Sequence, residues 1–190
     1  MTKSAAAFES VDFNAAALPP GRDAIACMIV KTFADGGFGA PQQLAGLANA
    51  IAESGLNPDA VSEVEQAVGL FQLNRGHGLG GTHSIAELKD PALNIKIILS
   101  EAAKVGAFRD ATSLEDAVST FVRFIIRPAN PAAEIARRLK IAEQLQPDRG
   151  LIGSTARTTP SMAEVVAYRG EAAAPRLLPH HLVNRILDIR

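Results

Sequence analysis

Apolar positions at helical spacing, interrupted by glycine and proline, predict a chain of helices around one irregular stretch. Ile25, Met28, Ile29 and Phe33 mark a first helix over residues 23–34, with Asp23 favouring its N-terminal end and Gly36-Gly37 stopping it. A second starts near Ala40 with Pro41 in its first turn. Leu44, Leu47 and Ile51 fall on one face, Glu53 lies off the centre of that face, and Gly55 and Pro58 end it. Asp90-Pro91 opens a third helix, buried through Leu93, Ile97 and Ile98 and ended by Gly106. Ser113 and Asp116 form a variant capping box for a fourth, with Val118, Phe121, Val122 and Ile125 as its apolar stripe and Arg127-Pro128 as its stop. Asn130-Pro131 repeats the cap-then-proline device for a fifth, reaching about Gln146.

The segment 56–90 is the least regular. Residues 59–66 are polar and acidic, suited to a loop or short strands. In Gly69-Leu70-Phe71-Gln72-Leu73, strand alternation would send Leu70 and Gln72 one way and Phe71 and Leu73 the other. A Gly-rich loop follows through His83. The expected architecture is mainly α, with a small irregular or β region over 56–90. Residues 1–21 read as an N-terminal arm that orders against the domain or a partner, 22–147 as the domain, and 148–190 as a C-terminal extension. A short amphipathic helix is expected over 179–190, with Leu182, Val183, Ile186 and Leu187 inward.

Composition narrows the chemistry. A chain of 190 residues, 47% apolar, is enough for one domain with a sizeable core. A net charge of −1 and helices without a basic face argue against nucleic acid. Cys27, the single cysteine, sits in Ala26-Cys27-Met28-Ile29-Val30 and reads as a core thiol. No apolar run approaches the ~20 residues of a membrane span, and no signal peptide is visible. Synthesis in the cytoplasm is therefore expected, with something else carrying the chain to any external substrate. The Gly-rich loop lacks the Gly-Lys-Ser/Thr ending of a phosphate loop. His77 and His83, with His180-His181, have no third ligand at metal-binding spacing, and no Gly-x-Ser-x-Gly elbow occurs. No cofactor or metal is called for.

Glu53 and Gln72 remain as candidates. A carboxylate at a helix C-terminus between apolar walls would be helped to stay protonated, as a glycosidic general acid needs. Taken alone, Glu53 reads first as a solvated carboxylate at a helix end. The Gln72 amide offers donor and acceptor to sugar hydroxyls or an acetamido group, although taken alone it reads first as a surface strand residue. Trp is absent and Tyr168 is the lone Tyr, so a sugar cleft would rely on hydrogen bonds and the eight Phe.

Glu53-Ser54-Gly55-Leu56-Asn57-Pro58, then Gly69-Leu70-Phe71-Gln72-Leu73, then Asp90-Pro91 with Asn94-Ile95, resemble the lytic transglycosylases of the lysozyme-like superfamily. With residues 121–128 downstream, the arrangement is most similar to the phage tail lysozyme branch and related virion or secretion-associated transglycosylases. The Ala-Tyr-Asn motif common in transglycosylases is missing; residues 117–121 stand in its place, and Ile126 stands where tail lysozymes often have an acidic residue.

The resemblance implies a lysozyme-like α+β domain that cleaves the β-1,4 bond between N-acetylmuramic acid and N-acetylglucosamine in peptidoglycan. It makes Glu53 the catalytic acid/base, with Ser54, Phe71, Gln72 and Asn74 on the substrate side and Asp90 and Asn94 fixing a helix start. A hydrolase would add a second carboxylate, at about 5–5.5 Å for retention or roughly 6.5–9.5 Å for inversion. Asp59, Glu63 and Glu65 are available, but no motif singles one out, so the transglycosylase route is favoured. The expected partners are peptidoglycan glycan strands, and phage tail or secretion-apparatus proteins docking on residues 1–21 and 148–190. The expected setting is a virion acting in the periplasm or cell wall. The competing expectation is a structural virion or assembly protein on the same scaffold, with weak or no activity.

Overall fold

The computed structural model describes residues 8–147. The expected helix over 179–190, with His180 and His181, lies outside the described residues. The elements run α1 (Asp23–Asp35), α2 (Ala40–Ser54), β1 (Val61–Ser62), β2 (Ala67–Val68), β3 (Leu73–Asn74), α3 (Ile85–Leu88), α4 (Pro91–Ala102), α5 (Gly106–Arg109), α6 (Leu114–Thr120), a π-helical segment (Phe121–Ile126) and α7 (Pro131–Leu145). The strands form an antiparallel sheet in the order β1-β2-β3, with Val68 opposite both Val61 and Leu73.

Helix α2 is the centre of the core. It packs on α1, α6 and α7, and every residue from Gln42 to Ala50 is buried. One apolar face was the sequence expectation. The structure surrounds the helix instead, because Ala45, Gly46, Ala48 and Ala50 let neighbours approach from several sides. At Gly46 the approach is closest: a Cβ there would come 2.8 Å from Phe33 Cζ. Around α2, the Phe33, Phe38, Phe108, Phe121 and Phe71 rings stack with centroids 5.2–6.3 Å apart.

The two glutamines of α2 are buried and hydrogen-bonded. Gln42 Nε2 donates to the carbonyls of Phe108, Arg109 and Ala111, binding the loop after α5. Gln43 Nε2 donates to Glu9 O and Phe38 O, while its Oε1 accepts from Val11 N–H at 2.7 Å. Residues 8–21 therefore lie against the domain, reinforced by Asn14 N–H donating to Leu145 O at 2.9 Å.

Several boundaries differ from those expected. Gly106 opens the short α5 rather than ending the third helix, which stops at Ala102. Helix α3 was not anticipated, although Ser84 and Glu87 form a capping box in which each side chain bonds the other's backbone N–H. The fourth helix changes register after Thr120: residues 121–126 are π-helical, and Arg127 closes them in the left-handed region at φ 57°. A wider turn leaves Phe121, Val122 and Ile125 all buried, so the apolar stripe gives no sign of it. Cys27 is half-buried rather than in the core. Desolvation, and then the nearby Asp23 carboxylate, push its thiol up from its ordinary value.

Candidate active site

Glu53 occupies the last turn of α2. Gly55 ends the helix at φ 60°, its N–H donating to Ile51 O at 2.9 Å. The negative end of α2 is met by two arginines of α7. Arg137 Nη2 donates to Ala52 O at 2.7 Å. Arg138 Nη2 donates to Glu53 Oε1, and its Nη1 to Glu134 Oε2. The Arg138 side chain is 4% exposed and that of Glu53 19%. The apolar walls expected around Glu53 are thus replaced on one side by a buried guanidinium. The signal was in the sequence: Ile135, Arg138, Ala142 and Leu145 share one face of α7, so Arg138 is a charge at a core position.

The opposing wall is a turn, not the alternating strand expected. Residues 69–72 connect β2 to β3, with Gly69 at φ 82° and Gln72 at φ 45°, and both Leu70 and Phe71 are buried. Asn94, fully buried on α4, holds this turn. Its Oδ1 accepts from Phe71 N–H at 3.0 Å, and its Nδ2 donates to Val68 O and Leu88 O. A Cβ on Gly69 would come 2.3 Å from both Asn94 Nδ2 and Leu88 O, so glycine is required there by space as well as by φ. Asp90 caps α4, its Oδ1 accepting from Ala92 N–H. Ser54 Oγ donates to Leu70 O at 2.9 Å and so ties the turn to the end of α2.

Between these walls lie two adjoining cavities, of about 550 and 460 Å³. Glu53, Gln72, Asn74, His77, Ile126 and Arg127 border both. Gln72 spends its amide N–H groups on Gly69 O and Ala60 O, at 2.9 and 3.3 Å, which leaves its carbonyl oxygen for a ligand. Asn74 braces the loop by donating to Glu65 O and accepting from His77 N–H. Phe71 borders the second cavity but is only 2% exposed. Ser54 is not among the residues lining either cavity.

Sequence reasoning missed Glu101 and Arg127. Glu101 borders the second cavity, and its carboxylate meets Lys104 Nζ at 2.8 Å and Arg127 Nη2 at 3.3 Å. The π-helical segment delivers Ile126 and Arg127 to the cleft, a common use of such a register change. Of the three acidic residues weighed as a second carboxylate, Glu65 borders the first cavity. Glu63 lines neither, and Asp59 faces Lys89 at 3.8 Å.

Residues 38–100 match the family model of the transglycosylase SLT domain. Over that segment the chain is similar to SLT domains. The mainly helical fold with its small antiparallel sheet is accordingly the lysozyme-like α+β class expected from the motifs. The SLT family is one of lytic transglycosylases, glycosidases of peptidoglycan, and peptidoglycan is the substrate the domain implies. No curated protein and no solved structure matches the chain. The matched segment holds α2, the sheet, the Gly69–Gln72 turn and most of α4. Helices α1, α6 and α7 and the π-helical segment, which pack around α2 and supply Arg127 and Arg138, lie outside it. Among the described residues no helix is long and apolar enough to cross a membrane.

Proposed function

We propose that this SLT domain cleaves the MurNAc–GlcNAc β-1,4 bond by the lytic transglycosylase route, with Glu53 as the single acid/base. The supporting observation is that Glu53 is the carboxylate bordering both cavities, where a glycan strand crossing the cleft would place a glycosidic bond. Glu53 gives its proton to the bridging oxygen as that oxygen leaves MurNAc C1. The substrate's acetamido group stabilises the resulting cation. The Glu53 carboxylate then takes the proton of the MurNAc 6-hydroxyl as that oxygen bonds C1, closing an anhydro ring. The free Gln72 carbonyl oxygen, and the Asn74 and Phe71 wall beside it, contact the sugars, while Ser54 holds that wall in place. Glu101 faces the same cleft with its charge occupied by Lys104 and Arg127, which favours a mechanism without a second carboxylate.

Zymography on purified peptidoglycan tests the assignment. Wild type clears the gel and Glu53→Gln does not; equal clearing by both removes Glu53 from catalysis. Mass spectrometry of the products then separates the routes, anhydro ends for the transglycosylase and reducing ends for a hydrolase.

The likeness of the motifs to tail lysozymes supports a further proposal, that the enzyme works within a phage-like tail or a secretion apparatus at the cell wall. Detection of the chain in purified particles tests it; its exclusion from them counts against it. A second reading, a scaffold protein with weak or no activity, is favoured by the lack of an exposed Phe, Tyr or Trp face among the residues lining the cavities. The same zymogram decides, since a scaffold leaves the gel uncleared.

A further inference from the structure

Two carboxylates meet on one buried cation beside the cleft. Arg138 projects from α7 to the end of α2, with Nη2 on Glu53 Oε1 and Nη1 on Glu134 Oε2. Its Nε has no hydrogen-bond partner among the described residues, so the two carboxylates alone orient the guanidinium. A cation this deeply buried is retained only when it is paired. Here the pairing ends on the carboxylate that borders both cavities.

We infer that Arg138, held by Glu134, is a positioning residue for Glu53. The inference rests on the reading of Glu53 as the acid/base. A carboxyl group that first gives and later takes a proton must keep one orientation through both steps. An arginine N–H can donate to Oε1 whether the group is neutral or charged. Oε1 is thereby reserved for α7, and Oε2 is left to exchange protons with the substrate. Glu134 offsets the guanidinium's charge, so the trio carries a single net negative charge when Glu53 is ionised. It also pins the end of the guanidinium remote from Glu53. Arg138 bonds Glu53 rather than lining either cavity, so its loss acts on turnover and not on binding.

The test is steady-state turnover of a peptidoglycan-derived glycan oligomer by the full chain, with Glu53→Gln as control. Arg138→Met lowers kcat about 100-fold, the scale of a misplaced catalytic group, while KM stays within about two-fold, as for an interaction that does not bind substrate. Arg138→Lys, which keeps a donor but cannot bridge both carboxylates, recovers about a tenth of the lost rate. Glu134→Ala, at a partly exposed position that does not threaten folding, lowers kcat about 10-fold and decides the matter if Arg138→Met does not fold. A wild-type kcat in folded Arg138→Met or Glu134→Ala, or a loss confined to KM, overturns the inference. Activity in Glu53→Gln overturns the reading beneath it instead, so the two failures are distinguishable.

Discussion

At the residue scale, the cleft wall depends on two residues that line neither cavity. Asn94 satisfies three buried backbone groups, and Gly69 leaves the space in which it does so. Asn94→Ala is expected to cost about 3 kcal/mol, because leaving each buried polar group unpaired costs ~1–3 kcal/mol. Gly69→Ala adds a collision to a left-handed backbone and is expected to cost at least ~2 kcal/mol. Urea denaturation reads both, and a midpoint unchanged in either variant refutes the wall's dependence on them. Both residues lie within the recognised motifs, so their importance was legible. Their mutual contact was not, because they stand 25 positions apart.

At the element scale, helix ends were read well and changes of helix type were not. Proline and a capping side chain mark the starts of α4 and α7, and Gly55 marks the end of α2, since each signal is local. Helix α3 is four residues long, too short for a periodic pattern, and its cap is its main local support. Hydrogen bonds from the Ser84 backbone and side chain hold the Glu87 carboxyl below its ordinary value. The lowered folded value means that the cap's contribution is complete above the ordinary carboxylate range and is lost as pH falls through the folded value. Ser84→Ala is therefore expected to reduce the loss of stability on acidification, read as thermal midpoint against pH. A pH dependence identical to wild type rejects the linkage. The raised Cys27 thiol sits on a helix face that is only half covered. It is expected to react with iodoacetamide more slowly than a free model thiol at pH 8, because less of it is thiolate; a rate equal to or above that of the model thiol contradicts the assignment.

At the scale of the whole molecule, the SLT match and the folded unit are different objects. Residues 38–100 carry the motifs, but α2 within them is covered by α1, α6 and α7 from outside. A fragment spanning 38–100 is expected to show no cooperative thermal transition where the full chain shows one, because the Phe33, Phe108 and Phe121 rings that surround α2 are missing from it. A sigmoidal melt from the fragment by circular dichroism would contradict this. The same division explains the cleft. One wall comes from the matched segment, while Arg127 and Arg138 come from segments outside the family match.

The sequence by itself determined the helical class, most helix boundaries and the three motifs that single out Glu53, because capping, glycine breaks and motif order all act over a few residues. Only the tertiary structure decided what surrounds Glu53. A guanidinium 85 positions away replaces an expected apolar wall, Glu101 and Arg127 pair at the border of the second cavity, and Gln72 turns its donors onto the backbone. Those outcomes follow from which helices pack on α2 and from the register change after Thr120. Both depend on the fit of side chains distant in the chain, which a pattern read along the sequence does not contain.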